Sequence, residues 1–197
     1  MGERDPMKAL ACWLAAAVLG AAGYYAWARH RVVFDDAYIT YRYADNLVHG
    51  YGAVYNHGER VEGYTNFAWM LLSALGIWLG RDPFAFTRGI GIASHVLMSG
   101  LIAWFAARWL LASSWYHLAL VVVLAVLVVP DGFAAMAGSG LETSFVACLL
   151  VLCALIVYAG DFSRWPSRIA LAIALSLSVL TRLDAMLSVF AAAAAIA

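Results

Sequence analysis

Asp35 and Asp36 stand side by side in the longest polar stretch of the chain, with Arg42 and Asn46 following in the same run. Residues 32–48, VVFDDAYITYRYADNLV, contain neither glycine nor proline, so a helix can form without a break. At helical spacing Asp35, Ile39, Arg42 and Asn46 share one face, while Val33, Ala37, Tyr41, Ala44 and Val48 form an apolar stripe. Asp36 and Tyr43 make a neighbouring line. A carboxylate, a guanidinium and an amide are thereby brought within reach of one ligand. A carboxylate beside a hydroxyl can orient it and take its proton as a bond forms. An arginine can hold a phosphate through charge-assisted, often bidentate hydrogen bonds. The two-sided pattern suits a helix lying at a membrane interface.

The run that follows, HGYGAVYNHGERVEGYTN, mixes glycines with aromatic and charged residues. One reading is a simple chain reversal between helices. The sharper one is an ordered loop in which Glu59, Arg60, Glu62, Tyr64 and Asn66 line a site beside the aspartates. Arg42 and Arg60 can face a phosphate or form ion pairs with Asp45, Glu59 or Glu62. Asp35, Asp36 and Glu59 offer oxygen ligands that suit a divalent metal, but no self-sufficient metal pattern is present and the metal stays unassigned. His49 and His57 read as loop residues and His95 as a packing histidine. Further on, Glu142 borders an apolar segment and needs water, a partner or a ligand, which makes it a conditional site residue. Arg182 and Asp184 read as solvated charges at a helix boundary.

The elements that position these residues are apolar. The chain is 65% hydrophobic and 12% charged with a mean hydropathy of +0.83, against about 25% charged in an ordinary soluble domain. Twelve Lys and Arg balance twelve Asp and Glu, so there is no basic surplus of the kind that binds nucleic acid. Cys12, Cys148 and Cys153 lie in apolar runs and read as small buried hydrophobes. Segments 9–28, 88–110, 144–160 and 167–180 read as membrane crossings. Segments 67–80 and 116–130 are short enough either to cross or merely to dip. Trp27, Trp69, Trp78, Trp109, Trp115 and Trp165 fall near segment ends, as interfacial aromatics do. The expectation is an all-α polytopic membrane protein, one helical domain over 1–197, with 29–66 as a loop carrying an interfacial helix. The unflanked apolar run 185–197 suggests that the domain continues beyond it.

The run DDAYITYRYADNLVHGYGAVYNHGERVEGYTNFAW, residues 35–69, resembles the first extracytoplasmic loop of polytopic glycosyltransferases of the GT-C fold. It is most similar to bacterial proteins related to the mycobacterial terminal arabinofuranosyltransferases. SGLET at 139–143 and TRLDAM at 181–186 resemble two shorter motifs of these relatives, with Leu183 where a proline stands in the second. The resemblance implies a multi-pass protein of the bacterial cytoplasmic membrane, with the N-terminus inside and 29–66 outside. It further implies transfer of a sugar from a polyprenyl-phosphate sugar to a glycan or lipid acceptor, with Asp35 preferred over Asp36 as the base. Arg42 and Arg60 then serve the phosphate, and Tyr64 and Asn66 the sugar or acceptor. Such enzymes are far longer than 197 residues, so this chain reads as an N-terminal portion. The competing readings are a flippase-like transporter of a lipid-linked sugar and a noncatalytic remnant. Counting three apolar segments between residues 66 and 142 places Glu142 on the opposite side from the acidic loop unless one of them fails to cross.

Overall fold

The computed structural model describes residue 20, residues 34–110 and residues 135–196. The expected segments 9–28 and 116–130, Cys12 and the first residues of the 29–66 loop lie outside the described residues. Every regular element among the described residues is helical, in keeping with an all-α class. In chain order these are α1 (Asp36–Val48), α2 (Phe67–Trp78), α3 (Pro83–Leu110), α4 (Thr143–Ala159), α5 (Trp165–Thr181), a 3-10 turn (Leu183–Ala185) and α6 (Met186–Ile196).

Helix α1 starts where Asp35 caps it, its Oδ1 accepting from the Asp36 N–H at 3.1 Å. The buried face contains Ala37, Tyr41 and Ala44 of the expected stripe, together with Thr40, Tyr43 and Asn46. Tyr43 and Ala44 pack on Met70 and Ala74 of α2. Helix α3 begins five residues before the expected segment at 88, because Asp82 caps it through the Ala85 N–H at 2.7 Å and proline occupies its first position. Its stretch Pro83–Ile102 is long and apolar enough to cross a membrane. Helices α2, α4 and α5 are apolar but shorter.

Segment 67–80 does not carry the chain away from the loop. Near the start of α2, Trp69 Nε1 donates to Gly140 O at 2.9 Å. Beyond its end, Thr87 in α3 bonds Tyr41 in α1 at 2.7 Å, and Tyr41 also donates to Gly140 O at 3.3 Å. The start of α2 and the residues beyond its end thus meet in one layer, and a helix of 12 residues is about 18 Å long against a hydrocarbon core of about 30 Å. Of the two alternatives for Glu142, the structure has the one in which a short segment stays beside the loop: the turn that contains Glu142 lies at the loop end, against Asn66. Trp69, expected at an interfacial belt, is 1% exposed because its indole is needed inside that layer, whereas Trp78 and Trp165 are exposed.

Away from the loop, α4 and α5 form a hairpin in which Cys153 packs with Leu171, Ala174 and Ala192. Both Cys148 and Cys153 are buried and free, as expected. Several hydroxyls inside the apolar helices satisfy themselves on the preceding turn, while the buried Ser144 hydroxyl at the start of α4 has no hydrogen-bond partner among the described residues. Ser73 donates to Trp69 O, Ser99 to His95 O and Ser178 to Ala174 O, each at 2.8 Å. These side chains let helices approach closely without leaving a donor unpaired.

Candidate active site at the loop end of the bundle

The loop after α1 is pinned by side chains of the helix it follows. Asn46 Nδ2 donates to Val54 O at 2.7 Å and Tyr55 O at 3.0 Å. Since its nitrogen is the donor, its Oδ1 is the acceptor, and His57 Nε2, 3.0 Å away, must carry the proton. The His57 ring stacks on Tyr51 with centroids 3.9 Å apart. Tyr43 donates to Val61 O at 2.8 Å and accepts from the Gly63 N–H at 2.9 Å. A Cβ on residue 63 would sit 2.7 Å from that phenol oxygen, so only glycine permits this contact. The segment is therefore an ordered structure. Asn46 is 2% exposed and its amide is engaged by the loop, which corrects its expected place on an open face with Asp35 and Arg42. The loop folds back over the end of the helix and covers it.

On the other side of α1 a chain of polar contacts links four segments. Thr40 Oγ1 lies 3.3 Å from Asn66 Oδ1 and 3.1 Å from Asn66 Nδ2. Asn66 Nδ2 also donates to Glu142 Oε2 at 3.1 Å. Glu142 Oε1 pairs with Arg182 Nη1 at 3.4 Å, and Arg182 grips Asp184 with Nε at 3.0 Å and Nη2 at 2.9 Å. The Glu142 side chain is 10% exposed, against 41% for Arg182 and 64% for Asp184. A buried carboxylate is tolerated because both its oxygens have partners.

Arg182 and Asp184 are thus more than a solvated boundary. Arg182 breaks α5 with an extended backbone, φ −150° and ψ 127°, and in that conformation residues two apart project to the same side. The fork from Arg182 holds the Asp184 carboxyl below the usual carboxylate range, and hydrogen bonding to Asp184 raises the guanidinium above its ordinary value. The turn before Glu142 is held by Tyr41 and Trp69 on Gly140 O. Gly140 adopts φ +83° and its Cβ position is taken up by the Tyr41 hydroxyl, so a side chain is excluded twice over. Burial pushes the Tyr41 phenol up to about 12.

Asp35 and Asp36 are exposed at the start of α1. Asp36 lies four residues before Thr40 and so shares its side of the helix, one turn nearer the N-terminus. Arg42 donates through Nε to Tyr55 O at 3.2 Å rather than pairing with Asp45, Glu59 or Glu62. Arg60 and Glu62 are exposed, and Glu59 accepts from Asn56 Nδ2 at 3.1 Å. Tyr64 packs edge-on to Tyr43, its phenol pushed up by burial and then by the Glu62 charge. His49 lies against Asp45 on the exposed helix end. Among the described residues no three His, Cys, Asp or Glu side chains gather as a metal site would need, and metal stays unassigned. Thr40, Tyr41 and Trp69 have no signal in the sequence that marks them as part of this arrangement, since each reads as an ordinary core or interface residue.

No family model matches the chain, and no solved structure matches it. Over 75 residues it is 41% identical to the terminal beta-(1->2)-arabinofuranosyltransferase of Mycobacterium tuberculosis, a match that takes in 38% of this chain and 12% of that enzyme. The chain therefore spans well under two thirds of the length of this relative.

Proposed function

We propose that the chain is part of a multi-pass membrane glycosyltransferase that moves a sugar from a polyprenyl-phosphate donor to a glycan or lipid acceptor on the extracytoplasmic face. The observation that carries this reading is the meeting of three distant segments at one end of the bundle. The acidic start of α1, the turn at 139–142 and the residues 182–184 are joined there by Thr40, Asn66, Glu142 and Arg182. The partial identity with an arabinofuranosyltransferase supports sugar transfer and makes an arabinofuranosyl donor the first to try.

In this mechanism Asp35 is the base. Its Oδ1 is held by the Asp36 N–H, which leaves the second oxygen open to the acceptor hydroxyl. As that hydroxyl oxygen bonds to the anomeric carbon, its proton passes to Asp35 and the bond from the anomeric carbon to the phosphate oxygen breaks. The leaving polyprenyl phosphate keeps the electron pair. Arg42, with its terminal nitrogens unengaged among the described residues, and Arg60, exposed in the same loop, offer it cations. A conduit for lipid-linked sugars would want acidic groups along its interior path. Among the described residues no Asp or Glu lies within α2 to α6; Glu142 and Asp184 stand at the loop end instead.

The test is transfer by the full natural chain in lipid nanodiscs, supplied with a labelled polyprenyl-phosphate arabinofuranose and an arabinan oligosaccharide. Label should enter the oligosaccharide. If no label moves from this donor, nor from polyprenyl-phosphate pentoses and hexoses offered in its place, the reading is wrong.

A further inference from the structure

Asn66 is 8% exposed and its amide group is engaged at both ends. One amide hydrogen faces the Thr40 hydroxyl, the other the Glu142 carboxylate, and the oxygen receives Thr40. A side chain so engaged has both amide hydrogens committed and no N–H left to offer a sugar hydroxyl. Its partner Glu142 is equally engaged, one oxygen on Asn66 and the other on Arg182. Neither residue is an open hydrogen-bonding group in a binding pocket.

What the two residues do have is position. Asn66 precedes α2, Glu142 precedes α4 and Arg182 follows α5, so their contacts fix three helix ends against one another. Thr40 attaches that joint to α1, one turn below Asp36. The Asp35 and Asp36 carboxylates stand on the free first turn of α1, and among the described residues neither is held from outside its own helix end. The nearest tertiary hydrogen bond to α1 on that side is the one from Asn66.

We propose that Asn66 is a positioning residue for sugar transfer, fixing the first turn of α1 and its two aspartates, and that Glu142 and Arg182 act on the reaction through it. This rests on the transferase reading above. It changes the part of Asn66 and Glu142 from ligand recognition to geometry. Arg182 supplies the counter-charge beside Glu142 inside the joint, and Asp184 fixes the direction of the guanidinium fork.

The kinetic signature separates the two roles. Loss of a ligand contact raises the donor or acceptor KM, whereas a base displaced by a fraction of an ångström lowers kcat, by up to about 100-fold for a shift of about 1 Å. Asn66→Asp sets two carboxylates against each other and should lower kcat about 10-fold or more, with both KM values kept within about twofold. Combining it with Glu142→Gln rebuilds the same bond with donor and acceptor exchanged, since the amide introduced at position 142 then donates to the carboxylate introduced at position 66. The double variant should regain kcat to within about threefold of the parent. Thr40→Val keeps the shape and removes only the hydroxyl, so it tests the link to α1 if Asn66→Asp fails to fold; the same loss in kcat alone is expected.

The experiment is initial-rate transfer in nanodiscs by the full chain and these variants, with the polyprenyl-phosphate arabinofuranose as donor and thermal midpoints recorded beside the rates. A parent that transfers nothing removes the transferase reading and the proposal with it. An active parent in which Asn66→Asp raises KM and spares kcat, or in which the double variant shows the product of the single losses, overturns the proposal alone. So does an active Thr40→Val with unchanged kcat.

Discussion

The two ends of the α4–α5 hairpin carry similar charges and use them differently. At the turn between the helices, Asp161 pairs with Arg164 at 3.0 Å, accepts from Ser163, and Arg168 donates to Phe162 O at 2.7 Å. Every partner there lies within six residues, and Asp161 and Arg164 are mostly exposed. At the opposite end, Glu142 reaches Asn66 across 76 positions and Arg182 across 40. Local pairs of exposed charges contribute little and serve to end one helix and start the next. A buried carboxylate tied across three segments carries a real cost if a partner is lost. The comparison marks the loop end as the place where the fold commits polar groups to each other, and so where function is best sought.

The largest expected effect lies just outside that network. Asp35→Asn keeps the shape and the cap oxygen but removes the basicity, and transfer should fall about 100-fold or more while donor binding, recorded separately, survives. Asp36→Asn should cost much less. A collapse confined to Asp36→Asn would move the base one residue along.

Next comes the cation of the joint. Arg182→Ala leaves Glu142 without its counter-charge and should lower stability by about 1–2 kcal/mol, a full buried-pair penalty reduced for the half-exposed guanidinium. Arg182→Lys should recover part of it, since the charge stays and the planar fork goes. The Arg182–Asp184 contact also fixes the acid response. Because the Asp184 carboxyl is held below its ordinary value, its contribution is present above the usual carboxylate range and disappears as pH falls through the lowered value. Thermal midpoints in acid should therefore fall less in Asp184→Asn, which lacks this term, than in the parent. Equal slopes for the two would remove the pair from the stability of the loop end.

A slower test of the same layer uses base. Tyr41, pushed up to about 12 by burial, favours its neutral phenol in the fold. Its contribution is complete below about pH 10, the ordinary tyrosine value, and is lost as pH climbs from there toward about 12. Phenolate absorbance of the parent minus that of Tyr41→Phe should show one group titrating late. An ordinary titration for that group would mean that the contact with Thr87 and Gly140 is open in solution.

The smallest effect belongs to the far turn, and it sharpens the contrast. Asp161→Ala and Arg164→Ala should each leave the thermal midpoint nearly unchanged and transfer unaltered. A loss at this turn comparable with that of Arg182→Ala would erase the distinction between the two ends.

The helices of this protein were legible in its residues because a helix is a local object: an apolar face repeats within one turn, and caps such as Asp35 and Asp82 act within three positions. The ordered loop was legible for the same reason, since Tyr43 and Asn46 reach segments only 8 to 20 residues ahead. Even so, spacing put Asn46 on an open face, because periodicity says which residues share a side and not what will cover that side. The partners of Glu142 lay beyond any local rule. Counting apolar segments left its side conditional on whether a short one crosses, since hydropathy cannot distinguish a short helix that crosses from one packed against α1 in a single layer. That distinction belongs to tertiary packing: Tyr43 and Ala44 against Met70 and Ala74, and Trp69 and Tyr41 on one carbonyl. Those contacts lay α2 along α1 and bring Asn66, Glu142 and Arg182 together, because a buried carboxylate is stable only where the fold supplies its partners.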